Sequence, residues 1–108
     1  MIDWAQVDEL RADMGDAFGE IVDVFLQEVA DGIAQLDGCD DDATLAARLH
    51  FLKGAALNLG FRDFATLCTD GENRANDGRG GQVDLGAIRR CHATSREQFL
   101  TGLARRAA

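Results

Sequence analysis

Apolar residues recur every three or four positions through most of the chain, the period of helices that bury one face. The longest stripe, Phe18, Val22, Phe25, Val29, Ile33 and Leu36, predicts a helix from Asp13 or Asp16 to about Leu36. A second, Leu45, Leu49, Leu52, Ala56 and Leu59, predicts a helix from Asp42 or Ala43 to Leu59, stopped by Gly60. Phe61, Phe64, Ala65, Cys68 and Ala75 mark a helix from Phe61 to about Asn76. Leu85, Ile88, Cys91, His92, Phe99, Leu100 and Leu103 mark the last, from Asp84 to about Arg105. Ahead of these, Ile2 to Leu10 reads as a short helix with Asp3 as its N-cap, and the lone Trp4 is expected to pack over one end of the molecule.

The intervening stretches carry turn chemistry. Asp37–Asp42 holds Gly38 and three consecutive aspartates, suited to the positive end of the helix that follows. Asp77–Gln82 is glycine-rich, and it lacks the lysine and the Ser/Thr of a phosphate loop. The link between Leu59 and Phe61 is so short that the helices on either side must run antiparallel. The expected architecture is all-α: an antiparallel four-helix bundle, up-down-up-down, with an additional short N-terminal helix, in one domain spanning 1–108.

Composition changes the picture little, but charge changes it more. The 108 residues include no proline, and no apolar run approaches the roughly 20 residues that cross a bilayer. Met1-Ile2-Asp3-Trp4 does not open a signal peptide. The three cysteines, Cys39, Cys68 and Cys91, are odd in number and form no Cys-x-x-Cys pair, so reduced thiols and a cytoplasmic location are expected. Net charge is −8, which disfavours nucleic acid as a partner. It is also unevenly spread: residues 1–47 hold 13 acids against one arginine, whereas residues 48–108 hold ten bases against six acids. The excess of bases begins where the third helix does. Such a boundary is either a solvated acidic surface or a means of discriminating among charged partners.

That third helix contains the one place where a titratable ring, a cation and a missing side chain share a face. With about 100° per residue, the apolar stripe lies roughly 180–260° around from His50, so the histidine points outward. Ala46 and Ala47 precede it on that face, and Lys53, Gly54 and Leu57 follow. A mid-helix glycine costs about 1 kcal/mol relative to alanine. Lying four residues from His50, Gly54 clears space beside the ring, while Lys53 brings an ammonium for a negatively charged group. A phosphoryl group fits all three features. On the fourth helix, Glu72 falls at the edge of the apolar face, and a carboxylate there needs a donor. Counting back from the Gly60 turn along an antiparallel partner ends near His50, whose Nδ1–H would serve; an ion pair with Arg74 or Arg48 is the alternative. His92, on an apolar stripe with Ser95 and Arg96 at +3 and +4, is expected to be a packed histidine.

The run His50, Lys53, Gly54, Ala55, Ala56, Gly60 resembles the signature of histidine-containing phosphotransfer (HPt) domains, with lysine at +3, glycine at +4, small residues, then glycine at +10. Val24-Phe25-Leu26-Gln27-Glu28 is similar to a run common in the family's second helix. The resemblance implies that His50 accepts a phosphoryl group from a receiver-domain aspartate and passes it to another receiver. It further implies a Gln or Glu at the offset of Glu72 to orient the ring, and docking surface near Phe18, Ile21 and Val22. Phe51 and Leu57 flank the histidine as further apolar contacts.

The expected partners are response-regulator receivers or a hybrid histidine kinase, met by a monomer, with no membrane and no nucleic acid involved. No cofactor is expected in the chain itself, Mg²⁺ being implied for the receiver. The chain has no ATP-binding motif, so it is expected to be a phosphotransfer intermediate without autokinase activity. Two alternatives stand beside this reading: a phosphoacceptor domain of a chemotaxis-type kinase, which shares the His-x-x-Lys-Gly pattern, and a non-catalytic helical adaptor, which would keep the shape but want the histidine lost, whereas His50 is present. A metal-binding bundle would want a Glu three residues before a histidine, which neither His50 nor His92 has.

Overall fold

A computed structural model describes residues 1–107. Five helices follow in order: α1 (Trp4–Met14), α2 (Phe18–Gln35), α3 (Asp42–Asn58), α4 (Arg62–Asn76) and α5 (Leu85–Ala107). Helices α2 to α5 alternate in direction and form the bundle. At one end, Arg89 near the start of α5 pairs with Asp37 just past α2, at 2.6 Å. At the other, Phe61 before α4 meets Phe99 of α5 edge-on. Among the described residues there are no strands, only an isolated antiparallel bridge between Ile2 and Phe61.

Local chemistry sets the helix starts. Asp3, Asp41 and Asp84 each accept a hydrogen bond from the backbone N–H three residues on, at 3.4, 2.7 and 2.9 Å, satisfying donors that a first turn leaves free. The Asp41 carboxyl is held below its usual range by the Thr44 backbone bond. Asp3 is lowered first by its hydrogen bond to Arg62, 3.0 Å away, and then by the Gln6 backbone N–H.

The turn between α3 and α4 is tied from two sides. Gly60 has φ 73°, its N–H reaches the Leu57 carbonyl, and the Phe61 N–H reaches that of Ala56, the bonding of a Schellman stop. The Asp3 N–H then bonds the Gly60 carbonyl at 2.8 Å, so closely that a Cβ at Gly60 would stand 2.5 Å from the Asp3 carbonyl oxygen. Trp4 covers this end as expected: it stacks on Phe99, lies over Gly102 of α5, and carries the Arg106 guanidinium on its other face.

Several sequence expectations need correction. Helix α1 runs four residues beyond Leu10, and α2 begins at Phe18 after a 3-10 turn over Gly15–Ala17. Leu10 is the last buried residue of α1, and Met14, one turn on, is exposed, so the final turn adds nothing to the core; Gly15, at φ 53°, stops the helix. Ala46, expected outward, is buried, because α3 is packed by both α2 and α4 and its covered arc is wider than one stripe. Ala55 is buried for the same reason. On α5 the inward position is taken by Ser95, while Leu100, one residue past Phe99, turns toward solvent.

Candidate functional site

His50 is the ninth of the 17 residues of α3, well away from both frayed ends. Its side chain is 65% exposed, yet Nδ1 lies 3.0 Å from Glu72 Oε2 and 3.3 Å from Oε1. An ionised carboxylate only accepts, so Nδ1 is the nitrogen that donates to it, and in the neutral ring Nε2 is then the one left with a lone pair. Nε2 makes no hydrogen bond within the described residues. The arrangement is thus an exposed imidazole with one nitrogen against a carboxylate and the other turned to solvent, a geometry compatible with nucleophilic attack.

Glu72 is the better buried partner, with 18% of its side chain exposed. It reaches His50 because α3 and α4 approach closely one residue earlier. A Cβ at Gly71 would stand 2.9 Å from Leu49 Cδ1, so the missing side chain lets α4 settle against that leucine without displacing it. Gly71 precedes Glu72 and Leu49 precedes His50, which makes the packed pair the support of the polar one. Sequence reading passed over Gly71, although a mid-helix glycine was the available signal. The alternative partners are engaged elsewhere or unpaired with Glu72: Arg48 donates to Gln35 Oε1, and Arg74 makes no ion pair among the described residues.

Lys53 also converges on Glu72, its Nζ 3.5 Å from Oε1. The carboxylate therefore holds the ring and the ammonium together, a pairing that spacing along α3 alone does not show. Gly54 stands apart from the other mid-helix glycines. A Cβ placed on it would meet nothing within 4 Å, so packing gives no reason for its absence. The free space lies beside the ring, four residues along the helix.

Of the apolar residues expected around the site, Phe51, next to His50 in sequence, and Leu57, two turns along α3, are 52% and 47% exposed. Phe18 and Val22 do not offer surface. Both are in the core, with the Arg11 guanidinium 4.3 Å from the Phe18 ring, because they lie on the α2 stripe that faces the bundle. Ile21 is half-buried, and Val24, which sequence reading left aside, is the exposed apolar residue of that helix. One turn before Glu72, Cys68 is fully buried, and burial first, then the neighbouring Cys91 and Glu72, pushes its thiol up to about 12. It stays a neutral core group beside the site.

A family model described as the Hpt domain matches residues 20–98. The chain belongs to the Hpt domain family. No curated protein and no solved structure matched the chain. The matched segment runs from within α2 into α5 and contains His50, Lys53, Gly54 and Glu72. Membership places the chain in histidine phosphotransfer within a phosphorelay, and Hpt domains interact with receiver domains. No helix among the described residues is long and apolar enough to cross a membrane.

Proposed function

We propose that His50 is the phosphoacceptor of this Hpt domain, taking the phosphoryl group from the aspartyl phosphate of one receiver and returning it to the aspartate of another. The neutral ring attacks phosphorus through Nε2. An N–P bond forms as the acyl-phosphate P–O bond breaks, and the receiver's carboxylate leaves with the bonding pair. The Nδ1 proton stays on the ring, and the positive charge the ring gains is offset by Glu72. The reverse step restores the neutral imidazole.

The single observation that carries this reading is the Nδ1–Glu72 contact at 3.0 Å on a ring otherwise open to solvent. It fixes tautomer and ring angle together, and phosphoryl transfer is governed mainly by positioning and charge. Lys53 is already within reach of the carboxylate that anchors the ring, so a small rotation brings its ammonium to the phosphoryl oxygens. Gly54 leaves the approach clear. Phe51 and Leu57 supply apolar contact for a receiver, and Ile21 adds to it from α2. The receiver brings the aspartate and Mg²⁺, so that each partner holds half of the active site.

The test is labelling with a phosphorylated receiver and with phosphoramidate, a small donor that reaches exposed imidazoles. Acid-labile label is expected on the protein and absent from His50→Gln. Undiminished acid-labile label on that variant would refute the assignment.

A further inference from the structure

On the side of α3 away from Lys53, a groove of about 690 Å³ runs between α2 and α3. It is open because the residues along it are small. Gly32 on α2 lets Leu52 fill the space beneath, a Cβ there standing 2.5 Å from Leu52 Cδ2, and Ala43 and Ala47 on α3 leave the wall low. Phe51, next to His50 in sequence and half exposed, borders the groove. The α2 rim carries Glu28 and Asp31. Among the described residues neither is paired with a cation, and Asp31 is held by Gln27 Nε2 at 2.8 Å. The groove's own cation, Arg48, is turned to the Gln35 side-chain carbonyl.

Two carboxylates over an apolar floor, with an aromatic ring nearby, match one kind of guest. A long basic side chain can lay its methylenes on Ala47 and Phe51 and bring its charged head to the acidic rim, where the ring face also attracts a cation. The surrounding charge favours the same guest, since residues 1–47 carry 13 acids and a single arginine. We propose that this groove is a selectivity pocket: it takes a lysine or arginine from the docking surface of the cognate receiver and disfavours receivers with an acidic group there. The proposal rests on the phosphotransfer reading above and assigns Glu28, Asp31 and Ala47 a part in choosing the partner.

Because the rim is open to water, its contribution is to encounter and register, not to the chemical step. The experiment uses the whole protein and whichever receiver domain of the source organism exchanges phosphoryl with it fastest. For the double variant Glu28→Lys, Asp31→Lys, the second-order transfer rate should fall by roughly tenfold at low salt. The deficit should shrink as salt is added, while the rate at saturating receiver stays unchanged. Ala43→Phe, two turns from His50, fills the groove without altering charge and should give a loss that salt does not relieve. Labelling of His50 by phosphoramidate should match the unaltered protein in both variants.

Unchanged second-order rates in both variants, with phosphoramidate labelling intact, would overturn the groove assignment and leave the phosphotransfer reading standing. Failure of the unaltered protein to take label from any receiver or from phosphoramidate would overturn that reading and the groove with it. A dimer seen by sedimentation that Ala43→Phe abolishes would make a second copy the occupant, and would also overturn the proposal.

Discussion

The chain has two histidines, and the fold treats them in opposite ways. His50 has one nitrogen anchored by Glu72 and most of its side chain in water. His92 lies against Phe64, ring centroids 5.7 Å apart, with its Nε2 buried and without a hydrogen-bond partner. Burial first, then Arg96, lowers the pKa of His92. The difference teaches that one fold separates two histidines by what holds one nitrogen and what leaves the other free. At His92, Nε2 has neither an anchor nor access among the described residues.

The sharpest way to break this comparison is to exchange the roles. His50→Gln should abolish acid-labile labelling, while His92→Gln should retain labelling near that of the unaltered protein; equal loss in both would erase the distinction. Next in size is the anchor. Glu72→Ala should slow transfer by about 10–100-fold, the range seen when a partner orienting a histidine is removed from a metal site. The ¹⁵N shifts of His50 should then move toward a mixture of tautomers, a change that mere loss of stability would not produce. Lys53→Ala should cost less, on the order of tenfold, since one half-buried charge contributes a limited share of the stabilisation.

The glycines sharpen the contrast further. Gly71→Ala should destabilise the fold by about 1–3 kcal/mol, because its new methyl collides with Leu49. Gly54→Ala should stabilise it by up to about 1 kcal/mol, and denaturant titration of the two variants distinguishes them by sign. Gly54→Gln should remain folded yet transfer poorly, through crowding at the ring.

The smallest expected effect concerns pH. The folded-state pKa of His92 lies below its unfolded value, so protonation favours the unfolded chain. Its contribution to stability is complete above the unfolded value of about 6.5 and is lost as pH falls from there toward the lowered folded value. Replacing His92 by Leu should flatten the fall in urea midpoint between neutral and mildly acid pH. An equally steep fall in the variant would assign that loss to other groups.

Much of the site was legible from the sequence because helices keep count. The phase of His50 against the Leu45, Leu49 and Leu52 stripe placed it outward, and equal steps from the Gly60 turn brought Glu72 beside it. What escaped was set by the third dimension. Which flank of α3 a neighbour covers decides that Ala46 is buried, and periodicity within one helix does not contain that information. The core places of Phe18 and Val22 were written in their own stripe, but family resemblance pulled them toward the surface. The Lys53–Glu72 contact joins a flexible side chain to another helix, so helical phase alone could not fix it. Likewise the end of α1 is set by Gly15 and not by the last apolar residue.

Outside the segment that the family model covers, Trp4 sits between Phe99 and Arg106, at the end of the bundle formed by the α3–α4 turn. It is the only tryptophan, and the sequence has no tyrosine. Intrinsic emission excited at long wavelength therefore comes from a single position remote from His50. Melting of the clasp between α1 and α5 can be watched optically while phosphoryl chemistry proceeds unseen in the same channel, which gives each variant above a built-in readout of integrity separate from its readout of transfer.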